Sequence, residues 1–212
     1  WRSEELEALV LELQPHIVMN NRLDLGRGVR TPEQVQPRRG ETENGEPVLW
    51  EACHTMNGSW GYDRDNLDWK PVELLVKMLI DIVSKGGNLL LNVGPTARGT
   101  FDPRSIARLE GIGEWMRLHG RSIYGAGAST YQAPEDCRYT QRGDRLYLHV
   151  FSWPFKHLHL DGLGGKVAYA QLLNDASEIR FTEADGGLTL NLPVQKPDVC
   201  VPVIELFLKD AS

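Results

Sequence analysis

Lys85-Gly86-Gly87-Asn88-Leu89-Leu90-Leu91-Asn92-Val93-Gly94-Pro95 is the stretch on which the fold turns. Asn88 to Val93 is a nearly continuous apolar strand, of the kind buried on both faces in a parallel sheet. The glycines before it stop a helix, and Gly94-Pro95 stops the strand. Upstream, Leu74, Leu75, Met78, Leu79, Ile82 and Val83 form a wide apolar helical face behind Pro71, which suits a first turn. Downstream, Asp102-Pro103 caps a helix carrying Ile106, Leu109, Ile112, Trp115 and Met116, with Gly120 at its end. This alternation predicts βα units around a parallel sheet.

Toward the N-terminus, Leu6, Leu9, Val10 and Leu13 predict another helix, with Ser3 as its N-cap and Pro15 forbidding continuation. His16 to Asn20 reads as a short buried strand and Val48 to His54 as a second. The polar stretches Asn21–Glu46 and Asn57–Trp69 are long for idle connections, and loops of that length in a compact domain are usually functional or disordered. After the joint Gly125-Ala126-Gly127-Ala128 the period changes. Leu146/Leu148/Val150, Val167/Tyr169, Leu188/Leu190/Leu192 and Val199/Val201/Val203 alternate, and Pro202 inside the last strand marks an edge or bulge. The expected fold is therefore α/β over residues 1–125, followed by an all-β antiparallel sandwich over 126–212. An eight-fold barrel takes about 250 residues, so the first part has room for the second half of a (β/α)8-like TIM barrel.

Composition excludes several classes. The 212 residues are 41% apolar and 25% charged with a net charge of -6, ordinary proportions for a globular protein. Mild acidity argues against nucleic-acid and anionic-membrane partners, which demand a basic face. The longest apolar candidate, Leu74 to Val83, is broken by Lys77 and Asp81 and falls short of the roughly 20 residues of a membrane span. Cys53, Cys137 and Cys200 lie too far apart for a metal knuckle and allow at most one disulfide. The start on Trp1-Arg2-Ser3, without methionine, reads as a processed or truncated piece of a longer chain.

Acidic and aromatic residues gather in the two long loops and at the Trp50-Glu51 strand end, where α/β architectures place their sites. Arg22, Asp24, Glu33, Trp50, Glu51, His54, Trp60, Tyr62 and Trp69 are the candidates. Carboxylates beside tryptophans suit a sugar: an indole face packs on apolar C–H groups, and paired carboxyls cleave a glycosidic bond. The blander account makes the tryptophans core and the acids solvated, with Glu51 a structural acid paired to Arg22 or Lys85 and His54 a core histidine.

Three segments decide more: Arg30-Thr31-Pro32-Glu33-Gln34, then Trp50-Glu51-Ala52-Cys53-His54-Thr55-Met56-Asn57-Gly58-Ser59-Trp60-Gly61-Tyr62, then Lys85 through Pro95. In this order and spacing they resemble the α-L-fucosidases, family 29 of the glycoside hydrolases. The resemblance runs from Trp1 to about Gly125, the C-terminal half of that family's barrel-like domain, and the β module looks like its C-terminal sandwich. It implies a retaining exo-hydrolase of terminal α-L-fucose, a fucosylated glycan as substrate, and no metal or organic cofactor. Carried across, Glu33 resembles the acid/base, with Glu51 its rival. Arg22 resembles a contact to sugar hydroxyls and Trp60 the wall near the C6 methyl, with His54 and Tyr62 as further substrate-binding candidates. Relatives often carry an aromatic residue where Arg30 stands. Their nucleophile precedes the helix that starts here at Trp1, so the resemblance implies that residues 1–212 alone are inactive. Periplasmic, secreted and lysosomal locations occur among relatives. The alternative from another class is a carbohydrate-binding or structural module centred on the β part, with Tyr131, Tyr147, Phe151, Trp153 and Phe155 as its aromatic surface.

Overall fold

The computed structural model describes residues 1–209; the last three residues of the expected β segment, 210–212, lie outside the described residues. In chain order the elements are α1 (Ser3–Leu13), β1 (Thr42–Glu43), β2 (Glu46–Pro47), β3 (Glu51–Thr55), α2 (Val72–Ser84), β4 (Asn88–Asn92) and α3 (Pro103–His119). The antiparallel strands follow: β5 (Cys137–Arg142), β6 (Arg145–Val150), β7 (His157–Leu160), β8 (Val167–Leu172), β9 (Phe181–Ala184), β10 (Gly187–Asn191) and β11 (Val203–Leu208). The architecture is mixed helix and sheet.

Ser3 turns out to be the first residue of α1 rather than its cap, which is Arg2 without a side-chain capping bond. No residue of α1 is buried, and Leu6, Leu9 and Leu13 are exposed. His16–Asn20 is not a buried strand: its one ladder contact is a parallel bridge from Asn20 to Val29, and residues 16–18 are exposed. The stretch Asn21–Glu46 is more ordered than its composition suggests. It holds the β1–β2 hairpin, whose Asn44-Gly45 turn has both φ angles positive, at 52° and 84°, as a two-residue hairpin turn requires.

β3 and β4 pair in parallel from Glu51 opposite Asn88 to Thr55 opposite Asn92. The two glycines before β4 have separate tasks. Gly86, at φ 78°, donates to the Val83 carbonyl while Gly87 donates to that of Ile82, the paired bonds of a Schellman stop. A Cβ on Gly87 would lie 2.3 Å from the buried Trp50 ring. β4 is not buried on both faces as expected: among the described residues its only neighbour is β3, and Leu90 is 52% exposed.

α2 is buried on two sides, which shifts its face from the sequence reading. Ile82 packs with Trp50 and Ala52, whereas Val76, Ile80 and Val83 pack with Trp115, Tyr147, Val201 and Val203; Leu74 is left exposed. Pro71 does precede the first turn, and Asp102 caps α3 by accepting from the Arg104 amide at 2.8 Å.

The antiparallel part is two sheets, β5-β6-β11-β8 and β7-β10-β9, sharing one core that includes Leu146, Leu148, Leu160, Leu188, Leu190, Ile204 and Leu206. Val167 and Tyr169 do not share a face. A register shift where β8 meets Phe207/Leu208 changes the parity, burying Val167 with Ala170 and leaving Tyr169 edge-on to Phe207. The last strand starts later than expected: Pro202 precedes β11, Val199 and Val201 lie outside it, and the Val201 carbonyl accepts from Trp115 Nε1 at 2.8 Å. All three cysteines are free, and no helix among the described residues is long and apolar enough to cross a membrane.

Beside α3 the second face of the four-stranded sheet also buries polar residues. His119 Nδ1 lies 2.9 Å from the Trp115 carbonyl, which can only accept, so Nδ1 carries the proton. Thr140 Oγ1 donates to the Ser122 carbonyl at 2.7 Å and therefore accepts from His149 Nε2 at 2.9 Å. The remaining nitrogens, His119 Nε2 and His149 Nδ1, are buried lone pairs without partners. Protonating either would bury an unpaired cation. Burial accordingly lowers both pKa values; for His119 the Trp115 bond opposes the shift, and for His149 the neighbouring His119 adds to it, taking that ring to about 3.

Unfolded histidine titrates near 6.5, so the stability these rings allow is present above that pH and is lost as pH falls toward the folded value. The loss is about 1.4 kcal/mol per unit for each such ring. Thermal melts from pH 7 to 4.5 should show His149→Leu losing less stability than the unsubstituted chain, by about 3 kcal/mol across that range; equal slopes would contradict the neutral-ring assignment.

Candidate functional site

Strand alternation builds the site. Glu51 and Cys53 face one side of β3, while Ala52 and His54 are buried on the other, toward α2. Parallel bridges join Arg30 to Trp50 and Glu33 to Cys53, so residues 29–33 lie alongside β3 with Asn20 beyond them. Asn20, Arg22, Thr31, Glu33, Glu51, Cys53, Trp60 and Leu90 line one open cavity of about 350 Å³.

Arg22 sits on a single 3-10 turn, Asn21–Leu23, that Asn20 caps by accepting from the Arg22 amide at 3.0 Å. Its guanidinium makes three side-chain contacts: Nε to Thr31 Oγ1 at 3.0 Å, Nη2 to Glu33 Oε2 at 2.9 Å, and Nη2 to Cys53 Sγ at 3.6 Å. Thr31 in turn donates to Asn21 Oδ1 at 2.8 Å. The Glu33 bond raises the already high pKa of Arg22. Both partners are about half exposed, so the pair contributes under about 1 kcal/mol to stability. Its consequence is orientation: the carboxylate is aimed and its charged form has a partner.

Glu51 pairs with neither Arg22 nor Lys85, which are engaged by Glu33 and Asp81. Among the described residues no donor reaches its carboxylate. His54 is 4% exposed on the far face of β3, its pKa lowered by burial and then by Lys70, and it does not reach the cavity. Tyr62 lies in a neighbouring crevice with Asn57, Ser59, Asp63, Trp69 and Asn92. The structure thus brings Arg22, Glu33, Glu51 and Trp60 together and leaves His54 and Tyr62 apart. Sequence reasoning missed Asn20, Thr31, Cys53 and Leu90; the period of two from Glu51 to Cys53 was the available signal for one of them.

Trp60 rides on a loop fastened from two directions. Asn92, at the end of β4, donates to the Trp60 carbonyl at 2.6 Å, and a Cβ on Gly94 would strike the Gly61 carbonyl carbon at 2.5 Å. At the loop's far end the Trp69 ring packs against the guanidinium groups of Arg104 and Arg108, 4.8 and 4.9 Å from its centre. Arg104 also donates to the carbonyls of Asn66 and Arg64, at 3.1 and 3.2 Å, and grips Asp102, whose pKa it holds at about 2.

In the antiparallel part, Tyr147 is buried, Tyr131 and Trp153 pack on its core, and Phe151 lies beneath Lys77 and Arg138. Of the five aromatic candidates there, only Phe155 stands well out of the surface, at 78% exposure.

The α-L-fucosidase family model matches residues 1–121. The α-L-fucosidase of Branchiostoma floridae is 32% identical over 155 residues, covering 68% of this chain and 34% of its own length. Tissue α-L-fucosidase of Homo sapiens is 32% identical over 162 residues, covering 72% and 34%. Among solved structures, α-L-fucosidase isoenzyme 1 from Paenibacillus thiaminolyticus superposes with a TM-score of 0.94 at 39% identity, covering 99% of this chain and 54% of that one. A family 29 α-L-fucosidase from Bacteroides thetaiotaomicron, described as a trapped covalent intermediate in complex with 2-fluoro-fucosyl fluoride, gives 0.86 at 27% identity, covering 99% and 53%. The fold matches that of solved glycoside hydrolases. The chain belongs to the α-L-fucosidase family. It spans about a third of the length of these curated relatives and about half that of the solved ones.

Arg104→Ala should free the loop that presents Trp60. Arg64 is an exposed tryptic site within it, and cleavage after Arg64 is expected to accelerate about tenfold, because local opening governs proteolysis. An unchanged rate would show that the arginine clamp is not what holds the loop.

Proposed function

We propose that this chain is part of a retaining α-L-fucosidase that removes terminal α-L-fucose from glycans and glycoconjugates. The observation carrying the reading is that Glu33, Arg22, Glu51 and Trp60 line one cavity in a chain of this family. In this reading residues 1–125 are the second half of a (β/α)8-like barrel and 126–212 a β-sandwich. The parallel bridges joining Asn20, residues 29–33, β3 and β4 support the first assignment, and the core shared by two antiparallel sheets supports the second.

Glu33 acts as acid and then base. Its carboxyl gives a proton to the departing glycosidic oxygen and, once ionised, takes one from the water that releases fucose. Arg22 holds that carboxylate at 2.9 Å and so orients it for both steps. Trp60 offers an apolar wall to the C6 methyl, and Arg22 also meets sugar hydroxyls. Glu51 remains the rival acid/base, free of donors in the same cavity. The attacking carboxylate, an aspartate in this reading, comes from polypeptide outside these 212 residues: the cavity's own carboxylates are Glu33 and Glu51. The covalent intermediate described for the Bacteroides thetaiotaomicron relative supports retention.

In the complete enzyme, Glu33→Ala should lower turnover of a fucoside with a poor leaving group by about 100-fold or more. Turnover of an activated aryl fucoside should survive, and azide should accelerate it to give α-L-fucosyl azide with retained configuration. If Glu51→Ala shows that pattern and Glu33→Ala does not, the roles are reversed. Residues 1–212 alone should not hydrolyse an aryl α-L-fucoside; turnover well above background would show that the nucleophile lies within them.

A further inference from the structure

Glu33 begins a segment held by ties to other elements. The next residue, Gln34, has φ 54°, left-handed backbone that few residues other than glycine, asparagine and aspartate adopt. On the near side the segment is tied to β3. The Cys53 amide donates to the Pro32 carbonyl at 3.0 Å and the Gln34 amide to the Cys53 carbonyl at 2.9 Å, while the Gln34 side chain clasps Thr55. On the far side the ties leave the sheet. Gln36 Nε2 donates to Asp81 Oδ2 at 2.8 Å and to the Met78 carbonyl at 3.2 Å, and Lys85 Nζ donates to the carbonyl of the buried Pro37 at 2.7 Å.

Asp81 is the common point. It is 8% exposed on α2, accepts from Lys85 and Gln36 through Oδ2, and accepts from Arg138 of β5 through Oδ1 at 2.7 Å. Arg138 is itself braced over the Phe151 ring, 5.3 Å from its centre. Burial pushes the Asp81 pKa up, and the bonds from Lys85, Gln36 and Arg138 outweigh it, leaving a net downward shift. One buried carboxylate therefore gathers the Glu33 segment, a helix and the antiparallel part. A buried carboxylate keeps its place only while its oxygens are bonded. Without Arg138, Oδ1 loses its one side-chain donor and the carboxylate turns, loosening its hold on Gln36.

We propose that Arg138, acting through Asp81 and Gln36, is a positioning residue for Glu33, so that the antiparallel part sets how the acid/base enters the cavity. The proposal rests on the reading of Glu33 given above. It assigns the β module a share in catalysis that needs no sugar contact there.

The test is Arg138→Gln, read in two ways. In the 212-residue chain, amide exchange at Gln34 should become about tenfold faster while Leu148 and Leu190, deep in the β core, keep their protection. In the complete enzyme, kcat should fall about tenfold, as small misplacements of a reacting group do. KM should stay within about twofold, the Glu33 limb of the pH–rate profile should move, and Arg138→Lys should restore most of the loss. Unchanged exchange at Gln34, unchanged kcat and pH profile, or exchange that rises uniformly through the core would each overturn the proposal. Should Arg138→Gln fail to fold, Gln36→Leu, on the loop itself, must produce the same changes. Glu33→Gln separates the two claims. If it leaves turnover intact while Arg138→Gln frees Gln34, the acid/base reading fails and the tether stands; if it abolishes turnover while Arg138→Gln changes nothing, the tether alone fails.

Discussion

The parallel register along β3 is the constraint from which the rest of the site follows. With Glu33 bridged to Cys53 and Glu51 opposite Asn88, alternate residues of neighbouring segments must point the same way. That places Glu33, Glu51, Cys53 and Leu90 around one opening and turns Ala52 and His54 toward α2. A slip of one residue would exchange the two sets. The packing of Gly87 against the Trp50 ring and the Schellman stop before it fix where β4 begins, and so protect that register.

Much of this was legible in the sequence. Pro71, Asp102-Pro103 and Lys85-Gly86-Gly87 are local signals, set by φ preferences and backbone bonding within a few residues, and each sits in the structure where such signals belong. Glu33, Glu51 and Trp60 stand in the spelled segments and Arg22 in Asn20-Asn21-Arg22 ahead of them, and one cavity collects all four. What escaped the sequence depends on partners far along the chain. His54 looks like a site residue beside Glu51 until alternation turns it away. The face of α2 shifts because the helix is buried on two sides, which brings Val76 and Ile80 inside and leaves Leu74 out. The parity of Val167 and Tyr169 changes at a register shift that no local pattern announces.

The junction between the two parts is built as firmly as either. Val76, Ile80 and Val83 of α2 share an apolar cluster with Trp115, Tyr147 and Val203. Beside it stand buried carboxylates with partly exposed arginine partners, Asp81 with Arg138, and Glu205 with Arg121 and Gln171. Removing one donor from such a carboxylate leaves a buried oxygen short of a partner, which costs more than an exposed pair contributes. The β module is thereby coupled to the helix that flanks the site, and of its aromatic candidates all but Phe155 are spent on packing.

The most direct measurement is an experimental structure of the complete enzyme with fucose bound. The account predicts the sugar in the cavity of Arg22 and Trp60, its C6 methyl against the Trp60 ring and its anomeric oxygen within about 3 Å of the Glu33 carboxylate, or one water away. Fucose held elsewhere on the chain, or seated there with Glu33 turned out of reach, would contradict it.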